Sequence, residues 1–179
     1  MTSPQALSEA DRRVVAEWAA DCAERVLPLF EAEAPDDDRA RDAIARTRAF
    51  ARGELSAADE IRRRFVAGRA ASSARTPAGV AAARAAAQAS GVAHMGAHAL
   101  GAAAYAAKAA GLAASDCSAV ADDAVNAEIA WQLAQLSPEA RAALRKLPPL
   151  GENSSGPLGP GLLNSGVLGE VIRRLQSVL

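Results

Sequence analysis

Aromatic residues are scarce in this chain: Trp18, Phe30, Phe50, Phe65, Tyr105 and Trp131 are all that 179 residues contain. Runs rich in Val, Ile and Thr are missing too, so a β-sheet core has little to be built from. The two cysteines, Cys22 and Cys117, are too few for a disulfide framework. The opening MTSPQALSEADRR has neither the basic stretch nor the apolar run of a secretory leader, and the expected location is cytoplasmic. Charge of one sign is not in excess. With 20 basic and 21 acidic residues the net charge is -1, which argues against a general polyanion binder. The P-loop, GxGxxG, GxSxG and HExxH patterns and paired cysteines are all absent, so the sequence calls for no cofactor and no metal.

What the chain has is alanine. Half of its residues are apolar, enough to bury a real core in one domain, but the core must rely on close approach of small side chains. Ala, Arg, Glu and Leu favour helix, and we read the fold as all-α: a single-domain bundle of six to seven helices over residues 1–148. From 85 to 107 there is no Asp, Glu, Lys or Arg. That span is long enough to cross a bilayer, yet it is built from Ala and Gly, holds His94 and His98, and lacks the Leu, Ile and Phe that drive insertion. A buried, Ala/Gly-rich central helix is the better reading.

Start and stop signals divide the chain. Ser8 with Asp11 opens a first helix to about residue 33, with Pro28 inside it, and Asp36 to Asp38 start a second that Gly53 ends. Ser56 with Asp59 starts a third, fading near Ser72, and Thr76-Pro77 restarts a fourth to about 89. A fifth is expected over 92–110, a sixth from a Ser115 cap to 136, and a seventh from Ser137-Pro138, stopped by Pro148-Pro149. Residues 149–165, rich in Gly, Pro, Ser and Asn, read as a linker or mobile tail. In 166–179 Leu168, Val171, Ile172, Leu175 and Val178 recur at helical spacing. That short amphipathic helix needs a partner, either its own bundle or another chain, and a homo-oligomer through it stays open.

Three groups of residues carry possible chemistry. On the first helix Val15, Trp18, Cys22, Val26, Leu29 and Phe30 share one arc, and Asp21 and Arg25, four apart, border it as an ion pair sealing the rim of a core. Cys22 on that arc acts as a small hydrophobe. On the fifth helix His94, His98, Tyr105 and Lys108 project within one sector, the polar stripe of an Ala helix; two His at i and i+4 can share a metal, but no third ligand is in view. The stripe reads as a half-buried seam or pocket wall. On the sixth, Asp122 falls on the arc of Val125, Ile129, Leu133 and Leu136, where a buried carboxylate must find a donor or take up a proton; the plainer account gives it a helix terminus or an Arg. The run Arg62-Arg63-Arg64, with Arg69, Arg75 and Arg84, has only Phe65 for stacking, so a solvated face suits it better than nucleic acid.

The segments WAADCAERVLPLFE (18–31), PDDDRARDAIARTRAFARGEL (35–55) and AHMGAHALGAAAYAAKAAG (93–111) resemble the Imm-5-like domain family of actinobacterial immunity proteins over about residues 10–148. The resemblance implies an all-helical, non-catalytic protein that protects its producer by binding a toxin, and it carries over no catalytic residues. On that reading the working surface is acidic, offering Glu31, Glu33, Asp36, Asp37 and Asp38 to a basic partner. Two rivals stand beside it. One is a small-molecule enzyme or resistance binder with a pocket between the fifth and sixth helices, using Asp122 or His94 as base and Tyr105 and Lys108, beside His98, to orient the ligand. The other is an assembly subunit that clamps a companion enzyme through Leu168, Ile172 and Leu175.

Overall fold

The structure, a computed structural model, describes residues 3–63, 65–114 and 118–179. Among the described residues every regular element is helical: α1 (Glu9–Glu31), α2 (Arg39–Ala51), α3 (Ala57–Arg63), α4 (Val66–Ala70), α5 (Pro77–Gly91), α6 (His98–Ala114), α7 (Ser118–Ala134), α8 (Pro138–Leu144) and α9 (Gly166–Val178), with 3-10 turns at Ala71–Ser73 and Leu162–Asn164. The all-α expectation holds. Local chemistry sets the starts: the hydroxyls of Ser8, Thr76 and Ser137 accept from the backbone N–H groups of Asp11, Gly79 and Ala140, each satisfying a donor that a helix N-terminus leaves free. Ser56 does the same for Asp59. The Ser115 cap and Cys117 fall outside the described residues, as does Arg64.

At the centre is α6, packed by α1, α5, α7 and α9. Ala99, Ala102, Ala103, Ala104, Ala106 and Ala107 along it, and Ala82, Ala83, Ala85 and Ala86 on α5, are fully buried. Small side chains on both helices let the axes come close, which is how a chain with six aromatics fills its interior. Larger side chains, Phe30, Phe50 and Leu144, close the core from the neighbouring elements, and Leu100 adds to it from α6 itself. Glycine serves the same end where α6 meets α7: a Cβ on Gly111 would sit 2.7 Å from a Val125 methyl.

The predicted third helix, from Ser56 to near Ser72, is divided into α3 and α4, and two further expectations change. The predicted fifth helix, 92–110, is interrupted: α5 runs on to Gly91, a turn follows, and α6 starts at His98. The segment read as a linker is packed. Leu158 and Leu163 are buried in the core, and the Gln5 carboxamide, itself fully buried, donates to the Asn153 carbonyl at 2.6 Å and accepts from the Leu158 N–H at 2.8 Å. Turn-forming composition here makes a compact coil, because the backbone polar groups of 153–158 find a side chain to bond. The final helix docks on its own bundle, with Leu168, Val171, Ile172 and Leu175 buried against a core that includes α6.

Candidate functional site

On α1 the geometry answers what Asp21, Cys22, Glu24 and Arg25 are for. Asp21 and Arg25 do not pair with each other. Arg48 of α2 donates to Asp21 at 2.6 Å and to Glu24 at 2.7 Å, while Arg25 Nε donates to Glu128 of α7 at 2.6 Å and its guanidinium lies 4.4 Å from the Trp131 ring. Helices on either side of α1 offer each charge a better-placed partner than its own i+4 neighbour. Glu128 also accepts from Gln132 Nε2 at 3.2 Å, and Gln132 donates to the Ala103 carbonyl at 3.0 Å. The Trp18 indole N–H donates to the Gln132 carbonyl. Cys22 is fully buried beside this network; burial, then Glu128 and Asp21, push its thiol well up, so the nucleophilic thiolate is suppressed.

The buried acid on α7 is therefore Glu128 and not Asp122, which is exposed. Asp122 does lie on the Val125–Ile129 arc, but the first half of α7 lies at the edge of the bundle, and the helix buries Glu128, Ile129 and Gln132 only near its other end. Over its first half α7 is peripheral. A polar arc of Glu128 and Gln132 flanking Ile129 is the signal that pointed there.

The stripe is partly realised, against a different helix. His94 lies in the turn and is exposed, while His98, Tyr105 and Lys108 lie on α6 and face α5. His98 Nδ1 bonds Gln88 Oε1 at 2.8 Å, and Arg84 approaches the Tyr105 ring at 6.0 Å. Glycines make room for the bond: a Cβ on Gly91 would meet the His98 ring at 2.8 Å, and one on Gly101 would collide with the Gln88 carboxamide. No group of three His, Cys, Asp or Glu side chains among the described residues is placed to hold a metal ion.

Burial, and then the charge of His94, hold His98 neutral down to about 4, against 6.5 for a free imidazole. The unfolded chain takes up a proton near 6.5 that the folded chain refuses. Stability from this group is therefore full above 6.5, falls between 6.5 and 4, and stays flat below. We expect a loss on the order of 2 kcal/mol for this half-buried ring, read as urea midpoints at pH 7, 5.5 and 4. His98→Gln should flatten the slope; an unchanged slope would show that other groups carry it.

The acids at the end of α1 divide into two sets. Glu31 pairs with Arg41 at 2.6 Å. Glu33 accepts from the N–H groups of Arg75 and Thr76 and from the Thr76 hydroxyl, clamping the start of α5, and these bonds lower its pKa. Asp37 binds Arg39 through both oxygens, and that guanidinium holds its carboxyl well below the usual carboxylate range. Asp36 and Asp38 are exposed and, among the described residues, make no side-chain hydrogen bond or ion pair. Leu168, Ile172 and Leu175 are covered by their own chain.

Fold and surfaces together define an all-helical bundle whose buried charges Glu60 and Glu128 are matched internally and which leaves charges unpaired at several surfaces, the α1–α2 corner and the α5–α6 seam among them. No helix among the described residues is long and apolar enough to cross a membrane. Over residues 5–139 the chain matches the family described as Imm-5 like putative immunity protein, and it belongs to that family. No curated protein and no solved structure matches it.

Proposed function

We propose that this protein neutralises a toxin by binding it, through the acidic corner where α1 turns into α2. Membership of an immunity family supports the role. The observation that carries the choice of surface is the pair of exposed carboxylates, Asp36 and Asp38, left without a partner beside the internally engaged Glu31, Glu33 and Asp37. Spent acids fix the corner's shape. Free ones supply the field. Neighbouring Glu17, Asp21 and Glu24 share the single Arg48, so the outer face of α1 also carries excess negative charge. A basic toxin surface would be drawn to such a corner with a rate that falls as salt is added.

The test needs the cognate toxin, isolated by pull-down from the native host. Asp36→Asn/Asp38→Asn should slow association at low salt by about tenfold and flatten its salt dependence, with dissociation little changed. Stopped-flow rates indistinguishable from the unaltered protein would sink the assignment of this surface. The rival reading as a small-molecule enzyme has lost two of its groups, since His94 and Asp122 are exposed on separate elements.

A further inference from the structure

Between α5, α6 and α9 lies a groove of about 280 Å³, lined by Val80, Arg84, Tyr105, Lys108, Leu162 and Leu168 among others. Its chemistry is one-sided. Among the described residues Arg84 and Lys108 make no ion pair or hydrogen bond, and none of the lining residues is acidic. Nine of the eighteen arginines hold a carboxylate; here two cations without one share a single concavity. Tyr105 gives a second sign: the residue is 3% exposed and, among the described residues, its hydroxyl makes no hydrogen bond. The ring is buried while the hydroxyl keeps access to solvent, and Tyr105 lines the groove, where that hydroxyl can meet a ligand. Apolar walls complete the site, with Leu112 and Leu162, 42% and 62% exposed, at the groove.

We propose that this groove binds a small apolar carboxylate, its anionic head held by Arg84 and Lys108, its oxygen accepting from the Tyr105 hydroxyl, and its hydrocarbon body against Val80, Leu112 and Leu162. A carboxylate suits the groove better than a phosphate. Phosphate sites draw on free backbone N–H groups at a helix start, and at the start of α5 those of Arg75 and Thr76 already go to the Glu33 carboxylate and that of Gly79 to the Thr76 hydroxyl. The size is at the small end of ligand sites. Leu162 and Leu168 lie beyond residue 139, so part of the wall comes from outside the stretch that matches the family. None of the toxin-facing acids lines the groove, and the proposal is independent of the immunity reading.

Sodium octanoate is the probe, followed through backbone amide shifts of the full chain. Saturable shifts confined to the groove's segments of α5, α6 and the 162–168 turn are expected, with 1-octanol, acetate and inorganic phosphate each at least about tenfold weaker, because head and tail act together. Arg84→Gln/Lys108→Gln should weaken octanoate about tenfold or more, and Tyr105→Phe a few-fold. Among the described residues these side chains hold no hydrogen bond or ion pair, and the Arg84 contact with the Tyr105 ring is a distant one at 6.0 Å, so the variants should keep an unfolding midpoint close to the parent's. Absence of saturation at millimolar octanoate, shifts scattered over the surface, equal binding of octanol or phosphate, or unchanged affinity in the double variant would each overturn the assignment.

Discussion

Ile172→Asp should destabilise the protein by at least about 4 kcal/mol, the largest single-site effect expected here. Ile172 is fully buried, as is Leu175 one turn on, and both pack into the same core as α6. Truncation alone at such a site costs about 2–5 kcal/mol; a carboxylate adds the penalty of a charge with no partner. Val178→Asp, on the same helix at a residue 51% exposed, should leave the urea midpoint nearly unmoved. That contrast separates a docked helix from a free one. Near-equal effects at the two positions would mean that α9 spends its time away from the bundle, and the exposed apolar stripe would again be open to another chain.

Arg25→Met should cost about 3 kcal/mol, and more than Glu128→Gln. The asymmetry follows from burial. The Arg25 side chain is 43% exposed and can turn to water when its partner is neutralised, whereas Glu128, 4% exposed, would keep only the 3.2 Å bond from Gln132. Stacking on Trp131 adds a packing loss to the arginine variant that the glutamate variant does not share. A double-mutant cycle gives the coupling, and the double variant should recover part of the single loss because no unpaired charge is left inside. Equal costs for the two single changes would show that Glu128 reaches solvent through some opening in the α1–α7 contact.

Much of this architecture was legible in the residues. Ser8, Thr76-Pro77 and Ser137-Pro138 mark helix starts by hydroxyls that need no tertiary context, and the alanine-rich, charge-free span announced a helix that others could approach closely. The arc of Trp18, Cys22, Val26 and Phe30 is buried as its spacing implies. Partners were harder to read. Spacing along α1 suggested Asp21 with Arg25, but which guanidinium meets which carboxylate depends on helices about twenty-five and a hundred residues away. Asp122 failed for a related reason: a wheel gives the face of a helix and says nothing of where along its length the neighbouring helices stop. The stripe of His98, Tyr105 and Lys108 was seen, but the groove was expected against the following helix and formed against the preceding one. Composition misled at 149–165, where side chains far away in sequence, Gln5 and Gln176 above all, supply bonds that a Gly/Pro-rich coil lacks.

Gln5 has a kinetic implication. One carboxamide ties residue 5 to residues 153 and 158, so the contact closes a loop of nearly the whole chain, and its formation carries the full entropic penalty of bringing such distant segments together. Such a contact belongs among the last events of folding. It also makes the two strands of coil a single cooperative opening unit: fraying the leading segment, for instance by a bulky fusion ahead of it, should speed hydrogen exchange at the Leu158 amide on the opposite end of the sequence.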